Sequence, residues 1–385
     1  MKVYLDNGAT TKVDAKVFEA MKPYFTEKYG NASSLHSFGR EANEALEKAR
    51  QVIAAKINAE PGEIIFTSGG TESDNMAIKG VAYASQDKGN HIITSTIEHP
   101  AVLNTCKMLE KKGFRITYLK VDREGFIDLE QLKREITDKT ILVTIMHANN
   151  EIGTIEDIGA IGRICKEKGV LFHSDAVQSF TKVPIDVKKT NVDLLSFSAH
   201  KIHGPKGIGA IYIRKGTSLK KMQHGGSQEF NLRAGTENVA AAVGFAKAVQ
   251  LVKEKEIAQI AKLRDRLIGG LRKIPDTMLN GPAGKKRLCN NVNIVFRFIE
   301  GESMLLHLDA KGIAVSTGSA CSQRDLKPSQ VLTAIGLRPD VAHGSIRFTL
   351  SRFSTAKEID YTIKCVKQVV ENLRQISPLR RGYDG

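Results

Sequence analysis

Residues 170–215, VLFHSDAVQSFTKVPIDVKKTNVDLLSFSAHKIHGPKGIGAIYIRK, decide the fold. Within them lie three short apolar runs, VLFHSDA (170–176), DLLSFSAH (193–200) and GAIYIRK (209–215), set apart by polar or glycine-rich segments. Runs of this length bounded by turn-forming residues are buried strands. Working outward, EIIFTS (63–68), HIITST (91–96), RITYLKV (115–121) and ILVTIMH (141–147) are of the same kind. From about residue 45 they alternate with stretches whose apolar residues recur at helical spacing, a pattern that reads as α/β with one large, mostly parallel seven-stranded sheet.

After a loop rich in Gly, Gln and Asn (224–238), apolar residues keep helical spacing from Ala240 to about Leu271, predicting one long helix that could link two domains. From Leu288 the pattern changes to NNVNIVFRF, a helix over ESMLLHLDA, a short AVSTGSAC segment, and SIRFTLSRF with a terminal helix. The expected division is a large α/β domain over residues 15–260 and a small α+β domain over 1–14 with 261–385. A chain of 385 residues is long enough for both, at roughly 150 residues per domain.

Composition excludes several classes. With 41% hydrophobic and 26% charged residues the chain is neither disordered nor collagen-like. No apolar run approaches the roughly 18–20 residues of a spanning helix, since ILVTIM stops at His147, so no membrane association is expected. Asp6 and Asn7 interrupt the N-terminus where a signal peptide would be apolar, and the expected location is cytoplasmic. The 57 basic against 42 acidic residues leave +15, which favours anionic ligands. The basic residues are scattered, so a solvated surface without a stable nucleic-acid complex is expected. Five cysteines without a C-x-x-C pair point to reduced thiols rather than a disulfide framework or a self-contained zinc site.

In open α/β sheets ligands bind beyond the carboxyl ends of strands, where this sequence places chemistry repeatedly. Gly69, Gly70 and Thr71 open a helix after EIIFTS, offering N–H groups to a phosphate, or forming a plain strand-to-helix turn. His99 follows HIITST as an acid, a base, a stacking ring or a structural histidine. Asn149, Asn150 and Glu151 follow ILVTIMH in an amide-rich turn, and Asp175 with Gln178 follows VLFHS, a carboxylate suited to a protonated ring nitrogen. Ser198, His200 and Lys201 follow DLLSFS. A sheltered lysine there loses its charge and can form a Schiff base with a carbonyl; an exposed one is a basic turn. Taken together, a lysine, an aspartate, a histidine and hydroxyl donors are the groups that pyridoxal 5'-phosphate needs. In the second half, Ser316–Ser322 (STGSACS) presents Cys321 among small polar residues with Arg324 nearby, which favours the reactive thiolate. Arg347, inside SIRFTLSRF, could clamp a carboxylate or sit on a solvated strand face. Cys106, Cys165, Cys289 and Cys365 fall in segments where packing is the default.

With YLDNGATT, FTSGGTESDN, EHPAV, MHANNEIG, HSDAVQS, SFSAHKIHGPKG, RAGTEN, GESMLLHLD, STGSACS and SIRFTLSRF in order, the sequence resembles the group I cysteine desulfurases of the class-V aminotransferase family over nearly its whole length. The resemblance implies the fold type I of pyridoxal-phosphate-dependent transferases and conversion of L-cysteine to L-alanine, with the sulfur passing to a persulfide on Cys321. It implies that Lys201 bonds the cofactor and moves the Cα proton. Asp175 pairs with the ring nitrogen, Gln178 bonds the ring hydroxyl, and His99 stacks and shuttles protons. Gly70, Thr71, Ser198 and His200 hold the phosphate, together with Thr236 of the second subunit of a homodimer. Asn150 and Arg347 orient cofactor and substrate carboxylate. The implied sulfur acceptor is an iron–sulfur scaffold protein or a tRNA-thiolation carrier, and Cys321 would contact a transient cluster in the scaffold complex. Departures from the family pattern stand at Gly8, Ala32, Ala199, Lys327, Gln330 and Ser351.

Two other readings make different predictions. A selenocysteine lyase or β-eliminating lyase would share Lys201 and Asp175 without needing Cys321. A nucleic-acid-binding protein using the +15 charge would show steep salt dependence and no cofactor absorbance.

Overall fold

The computed structural model describes residues 1–317 and 328–377, and each of the seven apolar runs is a strand of one sheet. In chain order the strands are β1 (Val3–Tyr4), β2 (Ile64–Thr67), β3 (His91–Ser95), β4 (Arg115–Leu119), β5 (Thr140–Thr144) and β6 (Leu171–Asp175). They continue with β7 (Leu194–Ser198), β8 (Gly209–Ile213), β9 (Thr277–Leu279), β10 (Asn291–Phe296), β11 (Ile313–Ala314) and β12 (Ser345–Thr349). The large sheet runs β2-β8-β7-β6-β5-β3-β4. Neighbours from β7 to β4 are parallel, whereas β8 is antiparallel to both β7 and β2. A short connection from β7 returns directly into β8, as a parallel neighbour could not.

Because helices cover both faces, the central strands are buried residue by residue rather than in alternation. The Gly70–Ala84 helix covers one face through Ala77, Ile78 and Val81, while Phe172, Phe180 and Phe197 fill the other with Phe245. Phe180 lies 4.4 Å from Phe197 and 6.0 Å from Phe245, centroid to centroid. Each such ring contributes up to about 3 kcal/mol by leaving water.

The single long helix expected from Ala240 to Leu271 is instead two, Val239–Leu251 and Glu254–Leu271. Val252 and Lys253 are extended, and the Glu256 carboxylate caps the second helix by accepting the Lys253 N–H. Two cores impose the break. The first helix lends Ala241, Phe245 and Val249 to the core of the large sheet, and the second lends Leu263, Leu267 and Leu271 to a separate core with Val292, Ile346 and Phe348. That second core backs the antiparallel sheet β12-β10-β9. The N-terminus joins it: β1 pairs with β11 in parallel, burying Val3 and Leu5. From there residues 6–14 cross to the large sheet, and this crossing brings Gly8 and Ala9 to the site beside Arg347 of β12. No helix of the described residues is long and apolar enough to cross a membrane.

Candidate active site

The strand order reverses between β3 and β5, and the carboxyl ends of β3, β5, β6 and β7 open onto one cavity of about 290 Å³. Among its lining residues are Gly70, Thr71, His99, Asn150, Asp175, Gln178, Ser198, His200, Lys201 and Arg347. Ten of the residues singled out from strand ends and from SIRFTLSRF are thus brought together. Thr236 is not among them: it is exposed and lines a separate cavity of about 180 Å³ with Ser68, Arg233 and Asn238. Cys321, with Arg324 and Lys327, lies outside the described residues. Gln330 is described, and its side-chain amide donates to the Thr96 carbonyl at 3.1 Å.

Lys201 sits in the 3₁₀ turn Ala199–Lys201 directly after β7. Its ammonium donates to Gly8 O at 2.6 Å and Ala9 O at 2.8 Å, with no carboxylate paired to it among the described residues. Burial, then the nearby positive charges of Arg347 and Lys182, push its pKa down to about 8. The turn is stitched to the N-terminal crossing. Thr11 N–H and Oγ1 both donate to His200 O, His200 Nδ1 meets Thr10 Oγ1 at 3.1 Å, and His203 N–H donates to Thr11 Oγ1 at 2.8 Å. His203 carries a left-handed φ of 68°, held by these bonds and by a ring contact with Phe353 at 4.9 Å. Burial lowers His200 to about 4, so it faces the cavity as a neutral ring.

His99 caps the Pro100–Glu110 helix by accepting the Ala101 N–H on Nδ1 at 3.1 Å. Burial lowers its pKa, so the ring is neutral, and acceptance at Nδ1 leaves the proton on Nε2. Asp175 ends β6, its Oδ1 accepting the Val177 N–H at 2.8 Å, and burial raises its pKa. A second buried carboxyl, Asp74, lines the same cavity four residues beyond Gly70. Burial, then the charge of Asp175, hold Asp74 well above the ordinary carboxylate range. Beneath it, the fully buried His173 contacts Thr144 Oγ1 at 2.8 Å and Ser196 Oγ at 3.0 Å. Asp74 was not singled out from the sequence, although its i+4 spacing from Gly70 places it on the helix face that looks into the cavity.

Gly70 begins its helix against the cavity wall, where an added Cβ would lie 2.6 Å from Val177 Cγ2. A glycine lets the helix N-terminus approach this closely, and its N–H groups suit an anion. Gln178 donates to Gly8 O at 3.0 Å. Arg347 belongs to no solvated strand face: it is 2% exposed, donating to Asn150 O and to Asp6 Oδ1, each at 3.1 Å. Cys106, Cys165, Cys289 and Cys365 are all buried free thiols. No group of three His, Cys, Asp or Glu among the described residues could hold a metal.

The chain that carries this cavity is similar along its length to known proteins. The class-V aminotransferase family model matches residues 3–362. The cysteine desulfurase IscS of Dictyoglomus turgidum is 56% identical over 386 residues, spanning 99% of this chain and 98% of that protein. The cysteine desulfurase IscS of Methanosarcina thermophila is 54% identical over 380 residues, spanning 98% of this chain and 94% of its own. Among solved structures, a NifS-like protein shares 41% identity at a TM-score of 0.91, over 97% of this chain and all of that one. A structure described as SspA in complex with cysteine shares 38% identity at a TM-score of 0.83, over 92% and 100% of the two chains.

Proposed function

Since this chain belongs to the cysteine desulfurases of the class-V aminotransferase family, we propose that it converts L-cysteine to L-alanine and passes the sulfur to Cys321 as a persulfide, supplying iron–sulfur cluster assembly. The observation that carries this reading is the meeting of Lys201, Asp175, His99 and Arg347 in one cavity, from segments that span the chain.

The cavity residues fit pyridoxal 5'-phosphate. Its volume of about 290 Å³ is near the lower end of small-molecule sites. Asp175 directs a buried carboxylate with one oxygen hydrogen-bonded to Val177 N–H and the other without a hydrogen bond among the described residues, which a ring-nitrogen cation would satisfy; Gly70, Thr71, Ser198 and His200 would hold the phosphate, and Gln178 and Asn150 the ring substituents. When bound, the group supplies an electron sink for charge developing at the substrate's Cα.

The chain's own groups supply the rest. Lys201, at about 8, exists partly as the free amine near neutral pH and is able to take and return the Cα proton. His99 offers Nε2–H toward the cavity. Arg347 is assigned the substrate carboxylate, its buried guanidinium having an unpartnered Nε among the described residues. Cys321 supplies the thiolate that takes the sulfur, which makes the reaction depend on a residue distinct from Lys201.

We assign the protein to the cytoplasm and to a homodimer in which Thr236 reaches the phosphate of its partner's cavity. Two observations support the dimer. Thr236 stands apart from its own chain's cavity. Phe25, Tyr29, Leu35 and Phe38 are all exposed within residues 25–38, large apolar side chains that a partner subunit would cover. An iron–sulfur scaffold protein is the acceptor this reading favours.

The test compares wild type, Lys201→Ala and Cys321→Ser. Wild type should be yellow and release alanine and sulfide from L-cysteine one to one with reductant present. Lys201→Ala should lose the visible band, and Cys321→Ser should keep it while losing persulfide. Normal alanine production by Cys321→Ser would sink the assignment of the thiol.

A further inference from the structure

Arg347 already carries a carboxylate. Its guanidinium, 2% exposed, donates through Nη2 to Asp6 Oδ1 at 3.1 Å and through Nη1 to Asn150 O at 3.1 Å, while Nε has no partner among the described residues. Asp6 is not a flexible surface acid that happens to reach. Its carbonyl accepts the Ala9 N–H at 3.0 Å in a turn, and the next two residues are fastened to β12, Asn7 Nδ2 to Thr349 O at 2.7 Å and Gly8 N–H to Thr349 Oγ1 at 2.7 Å. The same turn presents Gly8 O and Ala9 O to Lys201. Residues 6–9 thus hold both cations of the cavity.

We propose that Asp6 is a positioning residue for Arg347 that orients the guanidinium and, through its negative charge, keeps the affinity of the site for carboxylates low. The proposal rests on the reading that Arg347 takes the substrate carboxylate. That carboxylate is the same in L-cysteine and L-alanine, so every increment of attraction to it holds substrate and product alike and accelerates nothing. A second carboxylate entering the cavity beside Arg347 meets a guanidinium whose charge is shared with Asp6 and feels repulsion from Asp6 itself. Orientation is kept while binding strength is tempered, and alanine can leave.

The experiment uses cofactor-loaded protein and propionate, a monocarboxylate with no amine, whose binding is read from broadening of its methyl resonance. Asp6→Asn keeps the acceptor and removes the charge, so propionate should bind about tenfold more tightly than to wild type. The KM for L-cysteine should fall in parallel and inhibition by alanine should strengthen, while kcat does not rise. Asp6→Ser, which removes the charge with less of the geometry, should also tighten propionate and should lower kcat. Thermal midpoints and the visible band establish that each variant is intact, and either variant suffices if the other fails to fold. Unchanged or weaker propionate binding in a folded Asp6 variant overturns the proposal. Arg347→Gln separates the two readings: if it binds propionate as wild type does, Arg347 is not the carboxylate site and the role of Asp6 falls with it.

Discussion

Replacing Lys201 by methionine should stabilise the protein when no cofactor is bound. The ammonium is held in a cavity by two main-chain carbonyls with no carboxylate paired to it among the described residues, and its pKa is pushed from 10.5 to about 8 by burial and by Arg347. That gap corresponds to about 3 kcal/mol of penalty on the charged form in the folded state, present in full below about pH 8. Methionine removes the penalty and also the two hydrogen bonds. Gly8 O still receives Gln178, so the loss falls on Ala9 O and costs about 1 kcal/mol. The net expectation is a gain of about 2 kcal/mol near pH 7. The sign of the pH dependence follows from the depressed pKa. Between about 8 and 10.5 the unfolded lysine keeps a proton that the folded one has released, so wild type gains stability as pH rises and the advantage of methionine shrinks to near zero at about pH 9.5. Urea unfolding of both cofactor-free proteins at the two pH values, followed by circular dichroism, measures this difference. A methionine variant less stable than wild type near pH 7, or an advantage that does not change with pH, would refute the argument that Lys201 is an electrostatically strained amine.

Three further outcomes follow from the same kind of reasoning. Glu98 is fully desolvated and raised to about 8, with Ser95 Oγ and Met146 N–H on one oxygen and no partner among the described residues on the other, so the folded state retains a proton that the unfolded state loses from about 4.5 upward. Glu98→Gln should therefore stay within about 1 kcal/mol of wild type near pH 5 and exceed it by roughly 4 kcal/mol above pH 8, as unfolding at the two pH values will show. Burial lifts Cys106 and Cys165 to about 12 and also encloses Cys289 and Cys365, so iodoacetamide on the folded protein should modify Cys321 alone and leave Cys321→Ser unmodified by mass spectrometry. Arg50 and Glu229 form a buried two-pronged ion pair with both bonds at 2.8 Å, and Glu229 also accepts the Phe66 N–H. Glu229→Leu should cost about 3 kcal/mol by leaving the guanidinium with only Glu47 and Ile64 O and the Phe66 N–H without its acceptor, and adding Arg50→Met should restore only the part due to the guanidinium; a single variant as stable as wild type contradicts this.

Local chemistry made much of the site legible. Gly70, His99, Asn150, Asp175, Ser198 and Lys201 each stand within a few residues of a strand's carboxyl end, and parallel strands in one sheet necessarily deliver those ends to one edge. Asp74 needed one more step, the helical spacing from Gly70, that a strand-by-strand reading does not take. The broken helix at Val252 was hidden because neither proline nor glycine marks it. Its cause is competition between two cores for successive faces of one apolar pattern.

The order of short buried runs, turn residues and helical periods determined by itself that this chain would make a large parallel sheet with a polar, lysine-bearing edge, because strand and helix patterns are local properties of a few adjacent side chains. Tertiary structure alone decided where β8 turns back, that Thr236 stands outside its own chain's cavity, and that Arg347 is buried against Asp6, 341 positions away. Charge pairing and burial depend on which distant segments fold together, and for those the periodicity of a sequence carries no signal.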